Sequence, residues 1–276
     1  MLITKKLILA SFATAIMAVE AIAAPLNSAS YTADVTFKDA LGGTTMTIAF
    51  DGANYWSASG GSSGGNRYAE YGAAGNTITT FAPGIDFRSV FTDGGSNVYA
   101  RGYNSNTIYK QTAPGVFSSA LSLVGGALDA QSAVVLNSSG NFVAMNAGNV
   151  SIWNASGAFV STFALSGFTN NGYPQNRGIA AAGNYLFTYF GQTLSAWDYS
   201  GNLVDQATLA GAGTSFDSYF SLSYANNRIF VVDAAGGTWR GYDIGVGGQA
   251  VPEPGMLILL GLGFAGIAFS QRRAKA

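Results

Sequence analysis

Histidine and cysteine are both absent from the 276 residues. Without histidine there is no imidazole base, no Ser–His couple and no histidine metal ligand. Without cysteine there is no thiol nucleophile, no disulfide and no thiolate zinc site. Charge is scarce too: Asp, Glu, Lys and Arg make up 10% of the chain, against ~25% in an average domain. The formal net charge is −1, and residues 24–250 hold 8 basic and 12 acidic side chains, which leaves no basic footprint for nucleic acid. What is abundant is glycine, 37 residues, about twice the usual share. With 48% apolar residues the chain buries a core, and wholesale disorder is excluded.

The two ends differ from the middle. Lys5 and Lys6 precede an uncharged stretch from Leu7 to Val19, which runs into Ala21-Ile22-Ala23. A basic start, a short apolar segment and a small-x-small site form the pattern of a secretory signal, with cleavage expected after Ala23. The alternative is a retained anchor, but 13 residues rise only ~20 Å as a helix against a hydrocarbon core of ~30 Å. At the other end stand Val251-Pro252-Glu253-Pro254, an uncharged run over 255–270, and Arg272-Arg273-Ala274-Lys275. The prolines stop any preceding element. Sixteen uncharged residues suffice for a short membrane helix, and the basic cluster stays on the cytoplasmic side.

This tail resembles the PEP-CTERM sorting signal. The resemblance covers Val251 to Lys275 and has the three parts in order: the Pro-Glu-Pro triplet, the apolar helix and the terminal basic residues, Arg272 and Arg273 among them. In that family an exosortase, a membrane protease-transpeptidase, acts near the triplet and releases or re-attaches the body. Hosts are typically Gram-negative bacteria that make extracellular polysaccharide. The resemblance therefore implies export, an inner-membrane-anchored precursor held through residues 255–270, and a product in the cell envelope, at the surface or outside. The export machinery and an exosortase are the partners implied, with extracellular polysaccharide as a further one. The alternative is an ordinary C-terminal anchor with a coincidental triplet.

The body between the ends repeats. Turn-like clusters close on Asn54, Asn97, Asn141, Asn184 and Asn227, at spacings of 43, 44, 43 and 43, and aromatic or branched residues follow each. Asn and Gly tolerate the positive φ of tight hairpins. A second series, Gly75, Gly115, Gly157, Gly201 and Gly245, runs in step at spacings of 40, 42, 44 and 44. Each unit reads strand, turn, strand, loop, strand, Gly turn, strand. Four short strands in about 43 residues match one propeller blade. The fold expected is an all-β, five-bladed β-propeller over 24–245, followed by a linker with the triplet (246–254), the membrane helix (255–270) and a basic tail (271–276). The spacing resembles WD-repeat propellers, of whose signatures Trp197-Asp198 is the one dipeptide present. The fifth unit lacks an outer strand. Tyr31, Ala33, Val35 and Phe37 alternate with polar residues, so residues 31–37 are expected to pair beside the strand near Trp239 to Asp243 and close the ring. An open sandwich or a β-solenoid is the rival architecture.

No catalytic motif emerges. Lys38 and Lys110 sit in no Ser–Lys motif, and Glu70, the body's one Glu, lies on a third strand, far from any channel. The loop entering the first strand of units two to five carries a recurring polar pair: Asp86 with Arg88, Asp129 with Gln131, Gln175 with Arg177, and Asp217 with Ser218. In a propeller these loops ring one mouth of the channel. Their oxygens suit a hard cation such as Ca²⁺ or the hydroxyls of a sugar. The alternative is that they bond to loop backbone and orient each blade. Unit one has no clear equivalent. Trp56, Trp153, Trp197 and Trp239 fall on expected strands, either as packing or as sugar platforms. Tyr173 and Phe168 are better surface candidates because they lie in the longest loop. The leading functional reading is a non-enzymatic envelope or matrix protein with no cofactor, a scaffold for polysaccharide or protein. A carbohydrate-active or metal-dependent enzyme using the mouth carboxylates is the second, and a purely structural matrix component the third.

Overall fold

The structure is a computed structural model, and it describes residues 25–42, 44–61, 67–233 and 237–246. The expected signal segment, the Pro-Glu-Pro triplet and the expected membrane helix lie outside those residues. Among the described residues no helix is long and apolar enough to cross a membrane.

The chain opens with β1 (Ser30–Thr32) and β2 (Val35–Lys38). Blade one follows as β3 (Thr44–Phe50), β4 (Tyr55–Gly60), β5 (Tyr68–Tyr71) and β6 (Thr77–Phe81). Blade two is β7 (Phe87–Thr92), β8 (Val98–Gly102), β9 (Thr107–Ala113) and β10 (Val116–Ser122). Blade three is β11 (Val134–Leu136), β12 (Phe142–Asn146), β13 (Asn149–Trp153) and β14 (Phe159–Ala164). Blade four is β15 (Ala180–Ala182), β16 (Tyr185–Phe190), β17 (Thr193–Trp197) and β18 (Leu203–Ala210). A short helix, α1 (Phe216–Phe220), precedes blade five, which is β19 (Ser223–Ala225), β20 (Arg228–Val232) and β21 (Thr238–Tyr242). Each blade is an antiparallel meander, and the first strands neighbour one another in a ring that returns from β19 to β3. The five-bladed propeller expected from the repeat is the fold.

Both sequence series have physical causes. The Asn-terminated turns are the first hairpin of every blade; at the last one Asn226 and Asn227 both have positive φ, 47° and 60°, as a two-residue hairpin requires. The five glycines of the second series also have positive φ. They have a further reason to be glycine. Each turn lies against the outer strand, or its flank, of the preceding blade: a Cβ at Gly157 would meet the Ser122 carbonyl, and one at Gly201 the Ala164 carbonyl. At Gly75, Gly115 and Gly245 a Cβ would meet the Phe37, Phe81 and Asn27 side chains instead, so close approach between neighbouring strands imposes the period.

Five apolar clusters hold the ring, one at each interface between blades. The four tryptophans belong to them. Trp56, Trp153, Trp197 and Trp239 are all buried, which makes them packing residues rather than sugar platforms. Around the axis, hydroxyls take over the edge hydrogen bonds of the first strands. Val90 N–H donates to Thr47 Oγ1 (2.6 Å), Val134 N–H to Ser89 Oγ (3.0 Å) and Ile48 N–H to Ser223 Oγ (3.1 Å).

The N-terminal segment closes the ring, with one correction. β2 pairs antiparallel with β21, setting Phe37 opposite Trp239 and Thr36 opposite Arg240. Residues 30–32 do not join that strand. They add β1 in parallel to β18, the outer edge of blade four. The eight-residue β18 leaves an open edge there, and burial of Tyr31 in the interface between blades four and five fixes the segment to it. The chain crosses between blades at Asp34, whose carboxylate pairs with Arg228 at 2.7 Å.

Candidate functional site

The loops entering the first strands do gather at one mouth, but most of their charges are already spent on one another. Arg88 donates to Asp86 at 2.6 Å, to Gln131 Oε1 at 2.5 Å and to the Phe87 carbonyl at 2.7 Å. Asp86 also accepts the Gly61 N–H at 2.8 Å. Arg177, from the loop entering blade four, donates to Asp129 of the loop entering blade three at 2.8 Å. Burial pushes the Asp129 carboxyl up, but the Gln131 N–H and the Arg177 guanidinium more than offset this and hold it below the usual range.

A third arginine shares the same loop. Arg101, on β8, is fully buried. Its guanidinium donates to the carbonyls of Ser105 (2.8 Å), Asp129 (2.9 Å), Ala130 (3.0 Å) and Ser132 (2.6 Å). Desolvation, then repulsion from Arg88, pushes its pKa down to about 10. Arg88, Arg101 and Arg177 thus converge on residues 129–132. Three guanidiniums against two carboxylates repel a hard cation rather than cage it. Among the described residues, no group of three or more Asp, Glu, His or Cys is placed to hold a metal.

The remaining expected residues fall elsewhere. Gln175 is buried within its own loop and does not line the mouth cavity. Asp217 lies on α1 rather than on a loop, and it too is buried. Burial, then repulsion from Asp39, raises its pKa to about 6. Asp39 occupies the loop entering blade one, where the repeat shows no equivalent. It accepts hydrogen bonds from Thr45 Oγ1 (2.9 Å), Tyr71 Oη (3.0 Å) and Trp239 Nε1 (3.2 Å). Phe168 packs on Trp197, with ring centres 6.2 Å apart, and is not a surface platform.

What lines the mouth is aromatic. A cavity of about 370 Å³ is bounded by Asp86, Arg88, Gln131, Tyr103, Tyr173 and Phe216, with Thr44, Met46, Gly61 and Phe220 beneath. Arg88 sits 4.6 Å from the centre of the Tyr103 ring. Tyr173 meets Phe216 and Phe220 edge to face, each at 5.3 Å. At the other end of β3 a wider funnel of about 1210 Å³ opens among the first-hairpin turns, with Phe50, Phe91, Tyr99 and Val246 in its wall.

Comparison with curated proteins returns no match. Among solved structures the fold is similar to that of a glutaminyl cyclase from Myxococcus xanthus, with a TM-score of 0.56 and 11% identity over 78% of this chain and 97% of that one. A streptogramin B lyase follows at a TM-score of 0.42 and 12% identity, over 75% and 85%. The WD40 domain of Pan2 from Neurospora crassa gives 0.41 and 17%, over 68% and 56%. At 11% identity the likeness to the first of these speaks for the fold alone. In sequence, residues 250–273 match the PEP-CTERM protein-sorting motif. The chain is therefore a five-bladed β-propeller that carries a PEP-CTERM protein-sorting motif, a combination that implies export and sorting by an exosortase.

Proposed function

We propose that the chain is a non-enzymatic cell-envelope or extracellular-matrix protein whose propeller is an interaction scaffold for polysaccharide or protein. Residues 1–23 are its export signal, 24–245 the body and 255–270 the membrane segment of a precursor that an exosortase processes at the Pro-Glu-Pro triplet. The observation that carries this reading is the sorting motif at 250–273, which begins four residues after the last described residue of the propeller, Val246.

The geometry supports display. Val246, the last described residue before the sorting motif, lies in the funnel wall, so the motif follows the chain at the funnel end and none of the residues that line the aromatic mouth adjoins it in sequence. The absence of catalysis is supported by the pairing of Asp86 with Arg88 and of Asp129 with Arg177. Asp217, whose pKa of about 6 suits a general acid, lines neither cavity.

The test is to express the full chain in a host that has an exosortase and in the same host without it, and to follow the intact mass and the membrane fraction. With the enzyme, the tail is lost near Pro252 and the body leaves the inner membrane. Without it, or with Pro252, Glu253 and Pro254 all changed to Ala, the precursor keeps its tail and stays in the membrane. Identical processing in both hosts contradicts the reading.

A further inference from the structure

Among the described residues, five aromatic side chains are more than a third exposed: Tyr103, Phe159, Tyr173, Phe190 and Phe216. Scattered exposed aromatics are ordinary, but clustered ones in a concavity are informative. Three of the five, Tyr103, Tyr173 and Phe216, line the 370 Å³ mouth cavity. They come from separate parts of the chain: the turn after β8, the loop before blade four, and α1. Their convergence is a product of the ring and not of local sequence. All three are close to half exposed, at 46%, 47% and 45%.

The polar groups among them are fixed in place. Arg88 takes Gln131 Oε1, which leaves the Gln131 amide N–H groups to donate. Asp86 keeps acceptor capacity at Oδ2, where its one contact is the Arg88 Nη2 at 3.4 Å. The charged groups that line the cavity are Asp86 and Arg88, which pair with each other; the excess guanidinium of Arg101 and Arg177 stands behind the lining, around residues 129–132. Flat apolar faces beside rigid, charge-balanced donors and acceptors match a ring that has C–H patches on its faces and hydroxyls on its rim.

We propose that this mouth is a binding subsite for an uncharged pyranose unit of a polysaccharide. Because Tyr173 and Phe216 meet edge to face, one of the two rings stacks on the sugar face while the other walls its edge, and Gln131 and Asp86 bond to its hydroxyls. Arg88 holds Gln131, Asp86 and the Tyr103 ring in position. The cavity is at the small end of ligand pockets, which run ~300–1,000 Å³, and it fits one or two sugar rings of a longer chain. The proposal rests on the scaffold reading above and narrows it to one ligand class and one site.

The test uses the full chain in a sugar-free polyoxyethylene detergent. Neutral tetrasaccharides of glucose, mannose, galactose and N-acetylglucosamine are titrated by calorimetry and by saturation-transfer NMR, beside a uronate tetrasaccharide and an uncharged hexapeptide. At least one neutral tetrasaccharide binds, and its affinity falls by about tenfold or more in Tyr173→Ala and in Phe216→Ala, in line with the loss of an aromatic contact in a small pocket. Gln131→Ala weakens it as well and serves where an aromatic variant loses its fold. Val160→Ser, on the outer strand of blade three, leaves it unchanged. Between about 50 and 500 mM NaCl the affinity is flat, because the ligand carries no charge. No neutral sugar bound at ~10 mM, binding indifferent to Tyr173, Phe216 and Gln131, or binding confined to the uronate or the peptide overturns the proposal. Those outcomes leave exosortase processing of the tail untouched, since that is read from precursor mass.

Discussion

Deleting residues 24–40 abolishes the cooperative unfolding transition of the body. The segment contributes β2, whose ladder to β21 completes blade five, and β1, which covers the outer edge of blade four. Leu26, Tyr31 and Phe37 are buried in the flanking interfaces. Burying three large side chains contributes ~5–8 kcal/mol, on the scale of the ~5–15 kcal/mol that separates a folded domain from its unfolded state. Asp39 adds to this. Its carboxylate ties Thr45 of β3, Tyr71 of β5 and Trp239 of β21 across the junction of blades five and one. Asp39→Ala alone leaves Thr45 Oγ1 and Trp239 Nε1 without this acceptor and Tyr71 Oη with only Ser57 to donate to, and lowers stability by about 2–3 kcal/mol. Urea melts followed by tryptophan fluorescence read both effects, because Trp239 sits at the seam. A truncated chain with an unchanged midpoint contradicts this account of closure.

The second large effect is at Arg101. Arg101→Met, of similar length and apolar, removes the donors to four carbonyls, leaves those of Ser105 and Ser132 without a side-chain partner, and costs about 2–5 kcal/mol, at ~1–3 kcal/mol for each buried acceptor left unpaired. Arg101→Lys recovers little of it, because one ammonium cannot span four acceptors that a planar fork reaches. Loosening starts at residues 129–132, so limited proteolysis cuts there before the rest of the body opens. A loss below ~1 kcal/mol, or first cleavage elsewhere, shows that Arg101 does not hold this loop.

How much of this was legible in the sequence depends on whether the repeat carries it. Blade number, the first hairpins and the Gly turns follow from a period that close packing imposes on every unit, as Gly157 and Gly201 illustrate. The closing strand was legible too, because Phe37 alternates with polar neighbours as a half-buried strand does. Features that occur once were not. No repeat marks β1, whose parallel pairing depends on the length of β18. Arg101 has no counterpart in the other blades, and its role shows only when four carbonyls point at it. Asp39 interrupts the spacing of the loops at the mouth and works through residues more than thirty or even two hundred positions away. At the mouth, Asp86, Arg88, Asp129, Gln131 and Arg177 do come together, yet spacing alone did not tell ion pairing from ligand binding. Tyr173 could be singled out because it stands in the longest loop. Phe168, in that same loop, goes inward, since a Cβ at Gly148 would meet its ring.

The mouth and the funnel exist only if the ring closes between its first and last strands. In a chain with no cysteine of its own, Thr36→Cys with Arg240→Cys tests that directly, because these residues face each other across β2 and β21 at the separation of a paired ladder. Oxidation of the double variant is expected to give one intramolecular disulfide by intact mass and a higher melting temperature than the reduced form. Two free thiols persisting under oxidant in a folded body would contradict the closed propeller.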